Sequence, residues 1–192
     1  AMNSLDTHDT PRLITLLGAG GEYRDQSREW RAQFRLSARQ RCRGRALLKA
    51  AALLMFCFPG SPTIYYGDEA GMEGFEDPFN RQTYPWGHED TDLLEWYRAL
   101  GWLRGQHPAL RRGSIRYVCG KGPLLAFLRE SRETEEERLL CVFNAGDTEQ
   151  LFPLDEGRPR LVLGQAGFLR SEDDDSYLLL LPPRSGSVFF ME

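Results

Sequence analysis

Apolar side chains recur at helical spacing in two stretches of the chain. The first stretch predicts a helix over Ala38–Phe58 with Ser37 as its N-cap. The apolar positions that set this spacing are Leu47, Leu48, Ala51, Leu54, Met55 and Phe58. The second stretch predicts an amphipathic helix over Leu93–Arg104, which follows the N-cap candidates Asp90–Asp92 and is closed by His107-Pro108.

A short apolar run and a long polar loop separate the two predicted helices. Pro59–Pro62 ends the first helix, and the β-branched and aromatic run Thr63–Tyr66 predicts a buried strand. A helix that leads through a tight loop into an apolar strand is typical of an α/β fold. The loop Asp68–Glu89 is rich in Gly, Asp, Pro and Asn, and its aromatic residues favour an ordered, functional loop.

After Gly113 the pattern changes to short β-type runs with no helix between them. The seven runs are SIRYV, LLAFLRE, RLLCVFN, QLFPL, RLVL, YLLLL and SVFF. They predict a small antiparallel β-sandwich, with a domain boundary near Ala109–Gly113. We therefore expect a first domain over residues 1–110 and an all-β domain over residues 111–192. The acidic runs Glu133–Glu137 and Glu172–Asp175 are interpreted as solvated turns.

The composition of this chain of 192 residues argues against some classes of partner. With 24 basic and 28 acidic residues, the formal charge of −4 predicts no nucleic-acid partner and no attraction to a membrane surface. No stretch reaches the roughly 18 to 20 apolar residues of a membrane span, and no signal peptide is recognised. The four cysteines are Cys42, Cys57, Cys119 and Cys141. They lack CxxC spacing and are interpreted as free, mostly buried thiols, so we expect a cytoplasmic protein.

The densest polar cluster lies near the start of the chain, in SLDTHDTPRLITLLG. Its charged and titratable members are Asp6, His8, Asp9 and Arg12. A His-Asp pair at this kind of transition is typical of the C-terminal end of a barrel strand that supplies an active site. The ionised Asp can accept hydrogen bonds from sugar hydroxyls and stabilise positive charge, and a neutral His can donate to the same substrate. In the structural alternative, Asp6 or Thr7 caps a helix that begins at Pro11.

A second acidic group, Asp68-Glu69, follows the predicted strand in GSPTIYYGDEAGMEG. Paired acids serve retaining glycoside hydrolysis when their carboxyl groups are about 5 to 5.5 Å apart. Adjacent residues of an extended chain point to opposite faces, so these two acids are poor candidates for a catalytic pair. We expect them to be structural. The three histidines lie far apart in sequence and give little support for a metal site.

Together, LDTHDTPR, FPGSPTIYYGDEAGMEG and DPFNRQTYPW resemble the C-terminal part of the α-amylase family of glycoside hydrolases, and most of all its cyclomaltodextrinase, neopullulanase and maltogenic amylase group. The resemblance runs from about Ser4 to Leu110. It implies a C-terminal remnant of a (β/α)8 TIM barrel, about strands 7–8 and their helices, followed by the β-sandwich. Thr63–Tyr66 would be the eighth strand, and Ala38–Phe58 the helix before it.

The resemblance also implies roles for individual residues. Asp9 matches the third family carboxylate, which binds hydroxyls of the sugar in the cleavage subsite and stabilises the transition state. His8 matches the histidine that hydrogen-bonds the same sugar. Further substrate-binding roles fall to Arg12, Asp77, Arg81 and Trp86. Three other loop aromatics either stack on sugar rings or anchor the loop: Phe75, Phe79 and Tyr84.

The family's nucleophilic Asp and acid/base Glu lie outside the region of resemblance, so we expect this chain alone to have no glycosidase activity. The parent enzyme would be retaining and would act on maltooligosaccharides, cyclodextrins or pullulan. No organic cofactor is expected, and calcium, possible in the family, has no visible ligand cluster. The expected partner is an α-glucan oligosaccharide, and a homo-oligomer or a second chain would cover the exposed barrel edge. The alternatives are a noncatalytic carbohydrate-binding or assembly module, and one half of a split enzyme.

Overall fold

A computed structural model of the chain describes residues 1–21, 23, 25–131, 137–155, 157–171 and 176–192. Contacts between residues divide the chain into two compact units. The first unit comprises Met2–Met55 and Ser61–Ala99, and the second comprises Phe56–Gly60 and Leu100–Glu192, together with Ala1. The acidic runs interpreted as solvated turns lie, except for Glu137, outside the described residues.

The first unit is built on two short parallel strands and on helices. β1 (Met2–Ser4) pairs with β2 (Ser61–Thr63), with Met2 opposite Ser61 and Ser4 opposite Thr63. Parallel strands with helical connections are of the predicted α/β type. The helices, of which the last two extend into the second unit, are α1 (Leu13–Ala19), α2 (Arg28–Gln33), α3 (Ala38–Cys57) and α4 (Thr91–Gln106).

The two long helices begin close to where the sequence predicts. Gln40 N–H donates to Ser37 Oγ at 3.4 Å, and Ser37 N–H donates to Gln40 Oε1 at 3.0 Å, so the two residues cap α3 reciprocally. Asp90 caps α4, because its Oδ1 accepts the Leu93 N–H at 3.1 Å. Both predicted helices are confirmed. The structure ends α3 one residue earlier and extends α4 by two residues at each end.

The predicted buried strand Thr63–Tyr66 is wrong in its extent. β2 ends at Thr63, and the chain then turns, with a hydrogen bond from the Asp68 N–H to the Tyr65 carbonyl. Ile64 and Tyr66 are each 41% exposed. Among the described residues, β2 pairs with β1 alone. A strand with one neighbour leaves its other edge open, so the apolar run is not enclosed as a central barrel strand would be.

The loop Asp68–Glu89 is anchored in the core of the first unit. Phe75 is 1% exposed, and its ring centroid lies between 5.3 and 6.0 Å from those of Tyr23, Trp30 and Phe34. Aromatic pairs at this separation stabilise a core beyond their buried area alone. Of the two interpretations of the loop aromatics, anchoring therefore applies to Phe75.

Helices α1 and α3 approach each other closely through glycine. A Cβ atom at Gly44 of α3 would lie 2.5 Å from the carbonyl oxygen of Ile14 on α1. A Cβ atom at Gly18 of α1 would lie 2.7 Å from the carbonyl oxygen of Gln40. Glycine at both positions thus permits backbone contact that any larger residue would prevent.

The second unit contains a short helix, α5 (Pro108–Arg112), and two antiparallel sheets. The five-stranded sheet has the order β3-β4-β5-β10-β7, and the three-stranded sheet the order β6-β9-β8. The strands are β3 (Ser114–Lys121), β4 (Leu124–Glu130), β5 (Arg138–Asn144), β6 (Gln150–Leu154), β7 (Pro159–Leu163), β8 (Gly167–Arg170), β9 (Tyr177–Leu181) and β10 (Ser185–Met191). All seven predicted strands are confirmed, whereas β8 and α5 were not predicted.

The two sheets share one hydrophobic core, which confirms the predicted sandwich. Alternate residues of β9 point inward, with Leu179 and Leu181 almost fully buried. Residues from both sheets meet in this core: Ala126, Leu128, Leu140, Val142, Phe152, Leu179, Leu181, Phe189 and Met191.

A buried arginine ties three segments of the second unit together. Arg129 on β4 is 1% exposed and donates to the carbonyl oxygens of Cys57, Gly113 and Ser114. Burial lowers the pKa of its guanidinium. These hydrogen bonds compensate for the cost of placing the cation away from water.

All four cysteines are free, as predicted. Cys57 and Cys141 are buried, Cys119 is half-buried and Cys42 is exposed, so the expectation of mostly buried thiols holds for two of the four. Burial raises the pKa of the Cys141 thiol, and a hydrogen bond with Cys57 adds to the shift.

Candidate functional site

The candidate site forms where the chain leaves β1. Thr7–Thr10 makes a tight turn, in which the Thr10 N–H donates to the Thr7 carbonyl at 3.2 Å and the Thr7 N–H donates to Thr10 Oγ1 at 2.8 Å. The Asp9 N–H donates to Thr7 Oγ1 at 3.2 Å. These bonds satisfy the backbone of the turn locally, as Asx- and Thr-rich turns commonly do.

The turn presents a histidine and a carboxylate to solvent. The side chains of His8 and Asp9 are 62% and 71% exposed, and His8 Nε2 lies 3.1 Å from Asp9 Oδ2. An exposed carboxylate can accept hydrogen bonds from hydroxyl groups, and an imidazole can donate one. The arrangement suits recognition of a polyhydroxylated ligand.

Asp6 has a different position and function from its neighbours in the cluster. It is 5% exposed, and its Oδ2 accepts the N–H of Leu13, the first residue of α1, at 2.8 Å. The structural alternative therefore applies to Asp6, which caps a helix that begins two residues later than Pro11. His8 and Asp9 remain available for a ligand.

An ion pair from the loop Asp68–Glu89 lies beside the turn. Arg81 Nε is 3.1 Å from Asp77 Oδ1, and Arg81 Nη2 is 3.6 Å from Asp9 Oδ1. Arg81 Nε also donates to the His8 carbonyl at 3.2 Å. The structure thus brings together four of the residues that the sequence predicts for the site: Asp9, His8, Arg81 and Asp77. Because Arg81 is 43% exposed, its cation can also face a ligand.

Asn80 fixes the turn from beneath its backbone, a function that sequence reasoning missed. It is fully buried, and its Nδ2 donates to the carbonyl oxygens of His8 and Thr10, each at 2.8 Å. Its position in the motif DPFNR, directly before Arg81, was the available signal. The periodicity of the sequence contains no sign that this Asn is buried.

Arg12 was predicted to bind substrate, but the structure buries it inside the protein. Its side chain has no exposed surface, and its Nη1 lies 3.1 Å from Asp68 Oδ1 and donates to the Tyr66 carbonyl at 2.5 Å. Its Nε donates to the Asn80 carbonyl at 3.0 Å. A guanidinium enclosed by protein cannot contact a sugar, so we assign Arg12 a supporting function that joins the chain after β1 to the chain after β2.

Asp68 is buried beside both Arg12 and Asp6. It is 4% exposed, and burial raises the pKa of its carboxyl to about 9. The hydrogen bond and the negative charge of Asp6 act in the same direction, and Arg12 opposes them. Glu69, the other acid of this pair in sequence, accepts the Gly67 N–H through Oε2 at 2.9 Å. Both acids have structural contacts, which fits the expectation that they are not a catalytic pair.

Trp86 packs against another aromatic residue of the loop Asp68–Glu89. Its side chain is 80% exposed, and its ring centroid is 4.5 Å from that of Tyr84. In the described part of the chain, no hydrogen bond or ring contact joins Trp86 to His8, Asp9 or Arg81. The loop therefore offers an ion pair beside Asp9, and an aromatic pair in which Trp86 is exposed and Tyr84 is half-buried.

The described residues were compatible with neither a clustered metal site nor a membrane-spanning helix. No cluster of three or more His, Cys, Asp or Glu side chains among them could hold a metal ion. Within the same ranges, no helix combines the length and the apolar character needed to cross a membrane.

Comparison with known proteins identifies relatives over most of the chain. It is 34% identical over 158 residues to an amylopullulanase of Thermoanaerobacter thermohydrosulfuricus, a match that covers 78% of this chain and 10% of that protein. It is 33% identical over 146 residues to a cyclomaltodextrinase of a Bacillus species, covering 74% of this chain and 21% of the relative. The chain thus spans between about a tenth and a fifth of the length of these relatives. No protein-family profile matches it.

A solved structure supports the same assignment. The native form of the Nostoc punctiforme debranching enzyme is 30% identical and superposes with a TM-score of 0.75, over 99% of this chain and 35% of that one. The matched relatives carry the names of α-glucan-hydrolysing enzymes, and the superposition covers almost the whole of this chain, from its parallel strand pair to its antiparallel sheets. The chain belongs to the α-amylase family of glycoside hydrolases and corresponds to one part of its larger members.

Proposed function

We propose that this chain supplies part of the sugar-binding cleft of a retaining α-glucan hydrolase. The observation that carries the proposal is the exposed His8–Asp9 pair at the end of a strand of the parallel sheet, beside Arg81 and Asp77. Active sites of α/β barrels lie at this end of the strands. Maltooligosaccharides, cyclodextrins or pullulan would be the substrates of the complete enzyme, in keeping with the names of the relatives.

Asp9 would bind hydroxyl groups of the sugar in the cleavage subsite and stabilise the positively charged transition state. A carboxylate can do both because it accepts hydrogen bonds and because its charge opposes the developing oxocarbenium ion. His8 would hydrogen-bond the same sugar. Arg81 holds Asp9 and the His8 carbonyl, so it would orient the pair and, with Asp77, line the cleft.

β1 and β2 would be strands seven and eight of a (β/α)8 barrel. Each strand has one paired and one open edge among the described residues. Open strand edges favour pairing with further strands, and we propose that other strands complete the sheet, from the same protein or from a second chain. The four free thiols fit a reducing, cytoplasmic location.

The chain alone would be inactive. Retaining hydrolysis needs a nucleophile that forms a glycosyl-enzyme and an acid/base residue that protonates the leaving group and then activates water. Asp9 is one carboxylate, and the exposed Asp77 beside it is paired with Arg81 at 3.1 Å. The buried carboxyls of Asp6 and Asp68 cannot reach a sugar. Asp9 therefore cannot supply both functions.

Titration of the chain with maltoheptaose, followed by NMR chemical shifts, tests the site. We expect saturable binding that Asp9→Asn and Arg81→Ala each weaken at least about tenfold, or ~1.4 kcal/mol. Asp147→Asn is the matched control, because Asp147 is 62% exposed and pairs with Arg184 in the second unit. Unchanged binding in Asp9→Asn would contradict the proposed site.

An assay of reducing-sugar release from the same sugar and from β-cyclodextrin tests inactivity separately. We expect no release from the chain alone. Release that is lost in Asp9→Asn would show that a complete catalytic site forms, for instance across an oligomer.

The exposed Trp86 supports a second candidate, a noncatalytic glucan-binding module. The exposed Trp86 ring, packed against the half-buried Tyr84, offers an aromatic face on which a sugar can stack. Trp86→Ala distinguishes the two candidates. Loss of maltoheptaose binding in Trp86→Ala, with full binding in Asp9→Asn, would favour the module.

A further inference from the structure

The first unit contains two buried carboxyl groups, those of Asp6 and Asp68, and one buried guanidinium, that of Arg12. Asp6 and Asp68 are 5% and 4% exposed, and Arg12 is fully buried. Arg12 Nη1 bonds to Asp68 Oδ1 at 3.1 Å. Two carboxylates and one guanidinium would leave one uncompensated negative charge in a site closed to water, which is costly.

The hydrogen bonds of Asp6 indicate that protonation of one carboxyl removes the uncompensated negative charge. Its Oδ2 accepts the Leu13 N–H, but its Oδ1 is buried and no amide, guanidinium or hydroxyl of the described residues donates to it. The neighbouring acid is Asp68, whose buried carboxyl has its pKa raised by Asp6, through side-chain hydrogen bonding and through negative charge. Two carboxyl groups can bond to each other only if one is protonated, since an ionised carboxylate is solely an acceptor.

We propose that Asp6 and Asp68 share one proton in the folded chain at neutral pH, and that this proton links the chain leaving β1 to the chain leaving β2. Like-charged carboxyls in one buried site hold a proton in this way because both cannot ionise together. The pair is a positioning element. Asp6 and Arg12 flank the Thr7–Thr10 turn in sequence, so the linkage fixes both ends of the turn that presents Asp9.

The charged and titratable groups around the pair determine its pH dependence. Arg12, before α1, favours the ionised form of Asp68, whereas Asp6, after β1, opposes it. Tyr97 on α4 is buried close to both acids, and burial together with the charges of Asp68, Asp6 and Glu69 raises the pKa of its hydroxyl. Tyr97 therefore stays neutral while the pair titrates.

The sign of the stability effect follows from proton counting. The pKa of Asp68 is about 9 in the folded chain, against an ordinary value of 3.8. Between these values the folded state holds one more proton than the unfolded state, so stability decreases as the pH rises from about 4 to about 9. For this group alone, the unfolding equilibrium constant rises up to about tenfold per pH unit within that window.

Carbon-13 NMR of aspartate side-chain carboxyls in the full chain tests the shared proton directly. We expect one carboxyl signal to titrate with a midpoint above pH 7, and the amide proton of Leu13, which bonds to Asp6, to shift with the same midpoint. Both transitions should persist in Asp147→Asn and disappear in Asp68→Asn. Titration of every aspartate carboxyl below about pH 5, near the ordinary range, would overturn the proposal.

Chemical denaturation of Asp68→Asn gives a second test. Asparagine keeps an acceptor for Arg12 and replaces the carboxylic O–H by an N–H, so it mimics the protonated acid. Between pH 5 and pH 8, we expect the unfolding constant of the unmodified chain to rise at least about tenfold relative to that of Asp68→Asn. A ratio that is independent of pH would overturn the shared proton. Neither the carboxyl titration nor the unfolding measurement requires sugar binding. A negative result would therefore overturn the shared proton without bearing on the proposed glucan site.

Discussion

The side-chain amide of Asn80 lies 2.8 Å from the backbone carbonyl oxygen of His8, across 72 residues of sequence. The same Nδ2 donates to the Thr10 carbonyl, and the next residue, Arg81, contacts both His8 and Asp9. A loop that follows β2 therefore determines the shape of a turn that follows β1. The exposed pair His8–Asp9 depends on this loop for its position.

We expect Asn80→Ala to lower the free energy of unfolding by about 2 to 3 kcal/mol, because the variant loses two hydrogen bonds that the fully buried Asn80 amide donates to the His8 and Thr10 carbonyls. Urea denaturation measures this loss. The variant should also bind maltoheptaose more weakly at a temperature where it remains folded, since the Asp9 turn is no longer held.

Gln82→Ala is the control for Asn80→Ala. The Gln82 amide also donates to two backbone carbonyls, those of Glu73 and Phe79, but it is exposed. Water can replace its hydrogen bonds, so we expect a change within about 0.5 kcal/mol. Equal losses in the two variants would contradict the argument from burial.

Two helical glycines should respond in opposite directions to substitution by alanine. Gly44→Ala should destabilise the chain by about 1 to 3 kcal/mol, because its Cβ would lie 2.5 Å from the Ile14 carbonyl and would push α1 from α3. Gly101→Ala on α4 should stabilise it by about 0.5 to 1 kcal/mol, because a Cβ there meets no atom within 4 Å. Thermal and urea unfolding of both variants give the comparison, and effects of the same sign would contradict it.

The four cysteines should differ in their reactivity towards an alkylating reagent. At pH 8, iodoacetamide should modify the exposed Cys42 first and the half-buried Cys119 more slowly. Cys57 and Cys141 should react only after unfolding, because both are buried and the pKa of Cys141 is raised. Peptide mass mapping before and after addition of guanidinium chloride measures the order. Native-state labelling of Cys141 as fast as that of Cys42 would disprove this account.

The sequence was most informative where local chemistry determines structure. The cap formed by Ser37 and Gln40, the helix α4 and seven of the strands follow from spacing and turn residues alone. β8 was missed because all four of its residues are exposed, so it shows no alternation of buried and exposed positions. α5 was missed because its five residues are too few to show helical periodicity.

The candidate site was predictable only in part, and for a physical reason. His8 and Asp9 are adjacent in sequence, and their motif is local. Arg12 is adjacent to the same motif, but its burial depends on Asp68 and Tyr66, which lie more than fifty residues away. The function of Asn80 likewise rests on contacts made across the unit. Such long-range partners leave no trace in the spacing of a single sequence.

The hydrogen bond from Arg129 to the Cys57 carbonyl limits where the protein can be cut into separately folding fragments. Phe56–Gly60 belongs to the second unit although Ser61–Ala99 belongs to the first. A recombinant fragment that starts at Leu100 would lack this segment, and with it one acceptor for a buried cation and the Phe58 ring that packs edge-on against Phe127. The β-rich unit is therefore discontinuous in sequence. To assemble this unit, the chain must bring Phe56–Gly60 and Leu100–Glu192 together across the intervening residues Ser61–Ala99. Closing so long a stretch of chain carries an entropic cost that slows folding.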